Sequence, residues 1–217
     1  MGGTCAAQFT RHVGRDLGQT GSVAMIGPSF SRELRDAAAA SRVVPRLIAE
    51  RPPEWRLGPL TLLVDARTGK AQLRYARLAV ARAPGDAGAV MSAWTRALGV
   101  LSKRSLAPDT FLPLVAAAYA ALLERAGHPP GERVALPELR EQVIHMQAHA
   151  RYTRAQFAFD LARLRRERRL VHEGRRIDLG VATGHATARS RQVVWVEDES
   201  GAGQYYQTFR MLEESPR

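Results

Sequence analysis

The sequence predicts a mixed α/β chain, mainly helical, with a helix-and-hairpin region over residues 1–106 and a second unit over 107–217. Three observations predict it. Apolar residues recur at helical spacing in successive windows after residue 86. Short apolar runs at 60–64 and 193–197 are bounded by turn residues, as strands are. Hydrophobic residues make up 45% of the 217, enough to bury a core rather than remain disordered.

Taken in order, residues 5–13 allow a short helix, after which Gly14, Gly18, Gly21 and Gly27 interrupt any regular element. Ser29 or Ser31 caps a helix over "SRELRDAAAASRVV", with Pro45 near its end. "RPPEW" at 51–55 is rigid punctuation. A hairpin follows: a strand at 60–64, a turn at "ARTGK", and a strand over 72–82. Leu73 and Tyr75 share one parity of that second strand, Leu78 and Val80 the other, so a bulge is expected near Ala76. "PGD" at 84–86 opens a helix whose Val90, Trp94, Ala97, Leu98 and Leu101 form a stripe. "APD" at 107–109 opens another, with Leu114, Val115, Ala118, Tyr119, Leu122 and Leu123 inward and the loop "GHPPGE" behind it. "VAL" at 134–136 is a short strand, and "PELREQVIHM" a helix with Pro137 in its first turn. Thr153 caps a helix running to Arg169, with Phe157, Leu161 and Leu164 inward. "RLVHEG" and "QVVWVED" read as two strands joined by an exposed loop.

Charge is the compositional outlier. Lys+Arg number 32 against 21 Asp+Glu, a formal +11, which favours an anionic partner. Nearly all the cations are arginine, with Lys70 and Lys103 the only lysines, so an Arg- and Ala-rich composition accounts for part of the excess. Cys5 stands alone, which rules out an internal disulfide and suits a reducing compartment. No stretch approaches the ~20 apolar residues of a membrane span, and the N-terminus lacks the order of a signal peptide. The expectation is a cytoplasmic protein with no membrane partner.

Helix, short strand, helix, helix, strand, loop, strand over residues 111–197 resembles the winged helix-turn-helix superfamily in element order. The resemblance implies that the helix at 153–169 enters the DNA major groove and that the loop after it, the wing, touches the backbone. The 147–152 connection is longer than the tightest helix-turn-helix turns. The hairpin region read as a degenerate second copy would make a tandem arrangement. Such an arrangement is similar to the accessory subunits that dock on the linker protein of condensin-like complexes.

At about 100° per residue, Arg154, Arg165 and Arg169 cluster beside the apolar stripe of the third helix and Arg166 extends their face. Arg163 lies further round, and Arg168 falls on the apolar side and is left out. The wing adds Arg175, Arg176, Arg189 and Arg191. A guanidinium fork bonds phosphate or guanine, so these eight residues are the expected nucleic-acid site, with double-stranded DNA the expected partner and RNA the other polyanion such a surface would hold. Phe159 projects opposite the stripe, where an exposed aromatic marks contact with a protein partner or a second copy. Two readings stand beside each other: a non-catalytic nucleic-acid-binding protein, and a protein-docking subunit of a larger bacterial DNA-handling or defence complex. A merely solvated arginine face is the bland third.

No catalytic set emerges. Glu141, His145 and His149 recur at i, i+4 and i+8 without an HExxH, and no further ligand cluster accompanies them, so no metal or other cofactor is expected. "GRDLGQTGS" at 14–22 lacks the phosphate-loop spacing and its lysine. Asp160 has no carboxylate neighbour of the kind two-metal chemistry uses, and is expected to pair with Arg163 on the helix surface. The acidic cluster "VEDESG" at 196–201 reads as a solvated turn rather than a carboxylate metal site, and the aromatics Trp195, Tyr205, Tyr206 and Phe209 as packing against the wing sheet ahead of an external partner. The chain is expected not to be an enzyme.

Overall fold

A computed structural model describes residues 28–104, 106–147, 152–184, 191–198 and 202–213. The helix expected at 5–13, the glycine-rich run at 14–22, Cys5, His149, His185 and Arg189 lie outside the described residues. Five helices and two antiparallel sheets make a mixed α/β protein; with 42% helix and 32% strand, the mainly helical expectation is only roughly met.

The first sheet is a meander of β1 (Arg46–Glu50), β2 (Pro53–Leu57), β3 (Leu60–Asp65), β4 (Lys70–Tyr75) and β5 (Leu78–Pro84), each strand pairing with the next. Strand alternation buries Trp55 and Leu57, then Leu60, Leu62 and Val64, then Ala71, Leu73 and Tyr75 on one face. Helices α1 (Pro28–Ala39) and α2 (Ala87–Arg104) cover that face. Phe30 of α1 meets Trp55 edge-on with centroids 5.2 Å apart, and Trp94 Nε1 of α2 donates to Leu57 O at 2.9 Å.

Two expectations for this half are corrected. "RPPEW" is not bare punctuation: Pro52 sits between β1 and β2 with a cis bond before it, and "PEW" begins β2. The expected long strand at 72–82 is two strands. Ala76 and Arg77, at φ 49° and 64°, form a two-residue turn of the left-handed kind that right-twisted hairpins favour. Neither residue is Gly or Asn, so the turn carries no sequence signal. The parity switch marks this turn, while the bulge itself lies further along, where Leu73 pairs with Ala81 but Arg74 with Ala79.

The second half runs α3 (Pro108–Ala126), β6 (Val134–Ala135), α4 (Leu136–Gln147), α5 (Arg154–Arg166), β7 (Val171–His172), β8 (Arg175–Val181), β9 (Val194–Glu197) and β10 (Gly203–Glu213). Its sheet order is β6-β10-β8-β7. β9 pairs with the start of β10 on the edge opposite β8, since Tyr206 faces both Val181 and Val194. The loop expected from 175 to 191 therefore contains a seven-residue strand. Helix α3 ends as its sequence demands, with Gly127 at φ 65° closing the last turn. One continuous core runs through both halves, and Leu106 N–H donates to Asp160 across the residue 106/107 point.

Candidate functional site

Helix α5 is central to the molecule. Thr153 caps it through a reciprocal box: its hydroxyl accepts from Gln156 N–H, and Gln156 Oε1 accepts from Thr153 N–H at 2.7 Å. The expected stripe of Phe157, Leu161 and Leu164 is buried against the second half's core. The opposite side is covered too, because the first half packs on it through α2 and β5. Phe159 is the clearest consequence. It meets Tyr75 of β4 edge-on at 5.5 Å, so it is half-buried rather than fully exposed, and its aromatic neighbour is in the same chain.

The helix ends at Arg166, not Arg169. Arg168 N–H bonds Arg165 O at 3.1 Å and Arg169 N–H bonds Leu164 O at 2.9 Å, a Schellman closure with Arg168 at φ 55° in the place glycine usually takes. Arg168 is therefore exposed rather than on the apolar side, and Arg169 leaves the helix face to pair with Asp109 of α3. That hydrogen bond holds the Asp109 carboxyl below its ordinary range.

The other expected cations are dispersed. Arg154 is half-buried and donates to Val193 O at 2.9 Å. Burial, with Arg140 and Arg191 close by, pulls its guanidinium below the ordinary value. Arg165 lies over the Tyr206 ring at 5.4 Å, and Arg175 stands 3.6 Å from Glu173. Arg166, Arg176 and Arg191 are exposed. The arginines of α5 and the following loop thus do not form the single ledge their helical projection implied.

The structure instead gathers cations from both halves into two clefts, one nearer the end of α5 and one at its start. The first, of about 500 Å³, takes Arg42, Arg46 and Arg56 from the first half and Arg163 and Arg166 from α5, around Tyr75 and Phe159. Two carboxylates, Glu197 and Asp198, also line it. Arg56 Nη1 donates to Glu197 Oε2 at 2.9 Å, tying β2 to β9. Burial still pushes the Glu197 carboxyl up despite that cation. Beside this cleft Arg77 lies 3.9 Å above the Trp195 ring and 5.1 Å from Tyr205, so the C-terminal aromatics pack within the chain. The second cleft, of about 680 Å³, has Arg82, Arg96, Arg140 and Arg154 and no carboxylate among its lining residues. Arg42, Arg46, Arg56, Arg82, Arg96 and Arg140 were invisible as site residues in the sequence, because only long-range packing brings them to α5.

Asp160 is buried at 1% exposure, not on the helix surface. It accepts from the Tyr152 hydroxyl and from Leu106 N–H, and burial pushes its carboxyl up to about 6. Among the described residues no group of three or more His, Cys, Asp or Glu side chains comes together, and no single helix is long and apolar enough to cross a membrane. Comparison of the chain with protein-family models, curated proteins and solved structures yields no match, leaving geometry and charge to speak for what the site holds.

Proposed function

We propose that the chain is a non-catalytic nucleic-acid-binding protein whose second half is a winged-helix-like unit, and whose phosphate contacts come from the first cleft and the exposed end of α5. The carrying observation is the cleft's charge: five arginines from two distant segments converge against two carboxylates, one already bonded to Arg56. The order α3-β6-α4-α5-β8-β10, with β10 between β6 and β8, supports the winged-helix-like reading. The covering of α5 by the first half argues against deep insertion of this helix into a groove. Backbone contact by rim arginines, salt-sensitive and weakly sequence-dependent, is the mode that remains.

Arg46 and Arg166 are exposed rim residues. Replacing both by Gln should weaken duplex DNA binding roughly tenfold without moving the unfolding midpoint. Wild-type affinity in that variant contradicts the proposal. The second reading, a protein-docking subunit, is favoured by one feature: Val44, Leu47 and Ile48 are 76%, 51% and 52% exposed along the edge strand β1 and its approach. Leu47→Lys should break such a complex and leave DNA binding alone.

A further inference from the structure

The second cleft, at the start of α5, has features that a solvated arginine surface does not explain. Its wall is the first turn of a 13-residue helix, Thr153 to Gln156, whose positive end faces it. Gln156 lines it at 1% exposure. Since Gln156 Oε1 is committed to Thr153 N–H, the capping box fixes which end of the amide turns away from the cap. The amide nitrogen left over, Nε2, is buried and has no hydrogen-bond acceptor. A buried donor in that state forfeits its hydration without return, so native proteins rarely leave one unmet.

A second donor shares the condition. Arg140 Nη1 and Nη2 are held by Glu141 and by Tyr152 O, yet its buried Nε has no acceptor. From the opposite walls Arg82 and Arg96 reach the cleft, both exposed and, among the described residues, without a carboxylate partner. Burial first, then Arg140 and Arg191 nearby, lowers the Arg154 guanidinium below its ordinary value. The remaining wall is apolar, with Leu78 and Val80 of β5 and Ala97, Val100 and Leu101 of α2. Such a cleft suits a ligand with a strongly accepting anionic head and a flat, apolar-faced body. Its volume lies within the ~300–1,000 Å³ of small-molecule sites and is far too small for a duplex.

The geometry points to a phosphomonoester site of mononucleotide size, with the phosphate among Gln156, Arg140 and Arg154 at the start of α5 and the base on the apolar strip of β5 and α2. Free nucleotide and the 5′-phosphorylated end of a strand share this chemistry. The site is independent of the polynucleotide surface proposed above.

Titration calorimetry on the full chain tests it, with AMP, adenosine, inorganic phosphate and a tetranucleotide with or without a 5′-phosphate. AMP should bind at least tenfold more tightly than adenosine, which lacks the head, and than inorganic phosphate, which lacks the body. Binding by AMP alone identifies a free nucleotide as the source; binding that also needs the 5′-phosphate on the tetranucleotide identifies a strand end. Gln156→Glu keeps an acceptor for Thr153 N–H, removes both amide donors and adds a negative charge. It should weaken AMP at least tenfold with an unchanged or raised unfolding midpoint. Should that variant not fold, Arg82→Gln with Arg96→Gln decides by the same loss. Arg46→Gln with Arg166→Gln should leave AMP binding intact, which separates this site from the DNA surface. No AMP binding at millimolar concentration, adenosine equal to AMP, or wild-type AMP affinity in the cleft variants overturns the site.

Discussion

Replacing Asp160 by asparagine should remove a pH dependence that wild-type stability carries. The Asp160 side chain is almost fully buried; Oδ2 accepts from Tyr152 and from Leu106 N–H at 3.1 Å, while Oδ1 has no partner. Burial is the largest influence and outweighs those two bonds and the charge of Arg163, so the carboxyl titrates at about 6 rather than 3.8. Burial and Asp160 itself hold the Tyr152 phenol far above its ordinary value, which keeps it a donor throughout. The native state therefore binds this proton more tightly than the unfolded chain does. Its stabilising effect is complete below pH ~4 and is lost as pH rises through ~6, a difference of about 3 kcal/mol at 1.36 kcal/mol per pH unit.

The Asp160→Asn side chain has no proton to lose, and its amide oxygen can keep both bonds at the Oδ2 position. Urea unfolding of the two proteins at several pH values gives the test. The wild-type stability minus that of Asp160→Asn should fall by about 3 kcal/mol between pH ~3.5 and ~7. Taking the difference cancels Asp65, Asp109 and Asp178, whose hydrogen bonds depress their carboxyls and give the opposite slope in both proteins. Parallel curves would refute the assignment of a buried, proton-retaining carboxyl.

Three further changes follow from the same geometry. Arg168→Gly relieves a left-handed residue that costs an L side chain about 1–2 kcal/mol, partly offset by glycine's greater unfolded-state freedom. A gain of roughly 0.5–1 kcal/mol, read as a rise of a few degrees in Tm, is expected; a fall contradicts the helix end described. Arg56→Ala leaves the Glu197 carboxylate, 10% exposed, without its cation and should cost about 3 kcal/mol in urea unfolding, whereas Arg56→Leu with Glu197→Gln should recover much of that. A loss under ~0.5 kcal/mol in Arg56→Ala would show that the pair is solvated. Thr153→Ala removes the α5 cap and should cost about 1 kcal/mol by the same assay, with no change meaning that the box does not form in solution.

The elements legible in the sequence were those with strong local signals. The stripes of α2 and α3, the short β6 between a loop and Pro137, and the Thr153 cap with Gln156 three residues on all specify themselves. β1 does not, because all but Ala49 of its five residues are exposed and no alternation exists to read. β10 hides for a different reason: its register shifts between Tyr206 and Thr208, so buried Tyr206 and Phe209 fall on opposite parities. β8 looks like a loop because its Arg, Asp and Gly residues depend on pairing with a strand some 30 positions later, as Arg210 opposite Asp178 shows.

The candidate site follows the same division. That α5 is rich in arginine is plain from its residues; that its outer side lies under the first half is a property of tertiary packing. Projection on an isolated helix treated Phe159 as exposed, yet Tyr75, 84 positions earlier, covers it. Continuing that projection past Glu167 misplaced Arg168 and Arg169, since the chain leaves the helix there without a glycine to announce it.

The most direct test of a polyanion surface at the first cleft is the salt dependence of duplex DNA binding by the full chain, followed by fluorescence anisotropy. Each phosphate contact contributes about −0.9 to the slope of log K against log[salt]. If Arg46 and Arg166 each contact a phosphate, the Arg46→Gln, Arg166→Gln variant should show a slope shallower by about 2 than wild type. A wild-type protein that fails to bind duplex at low salt, or a variant with the wild-type slope, would contradict the account.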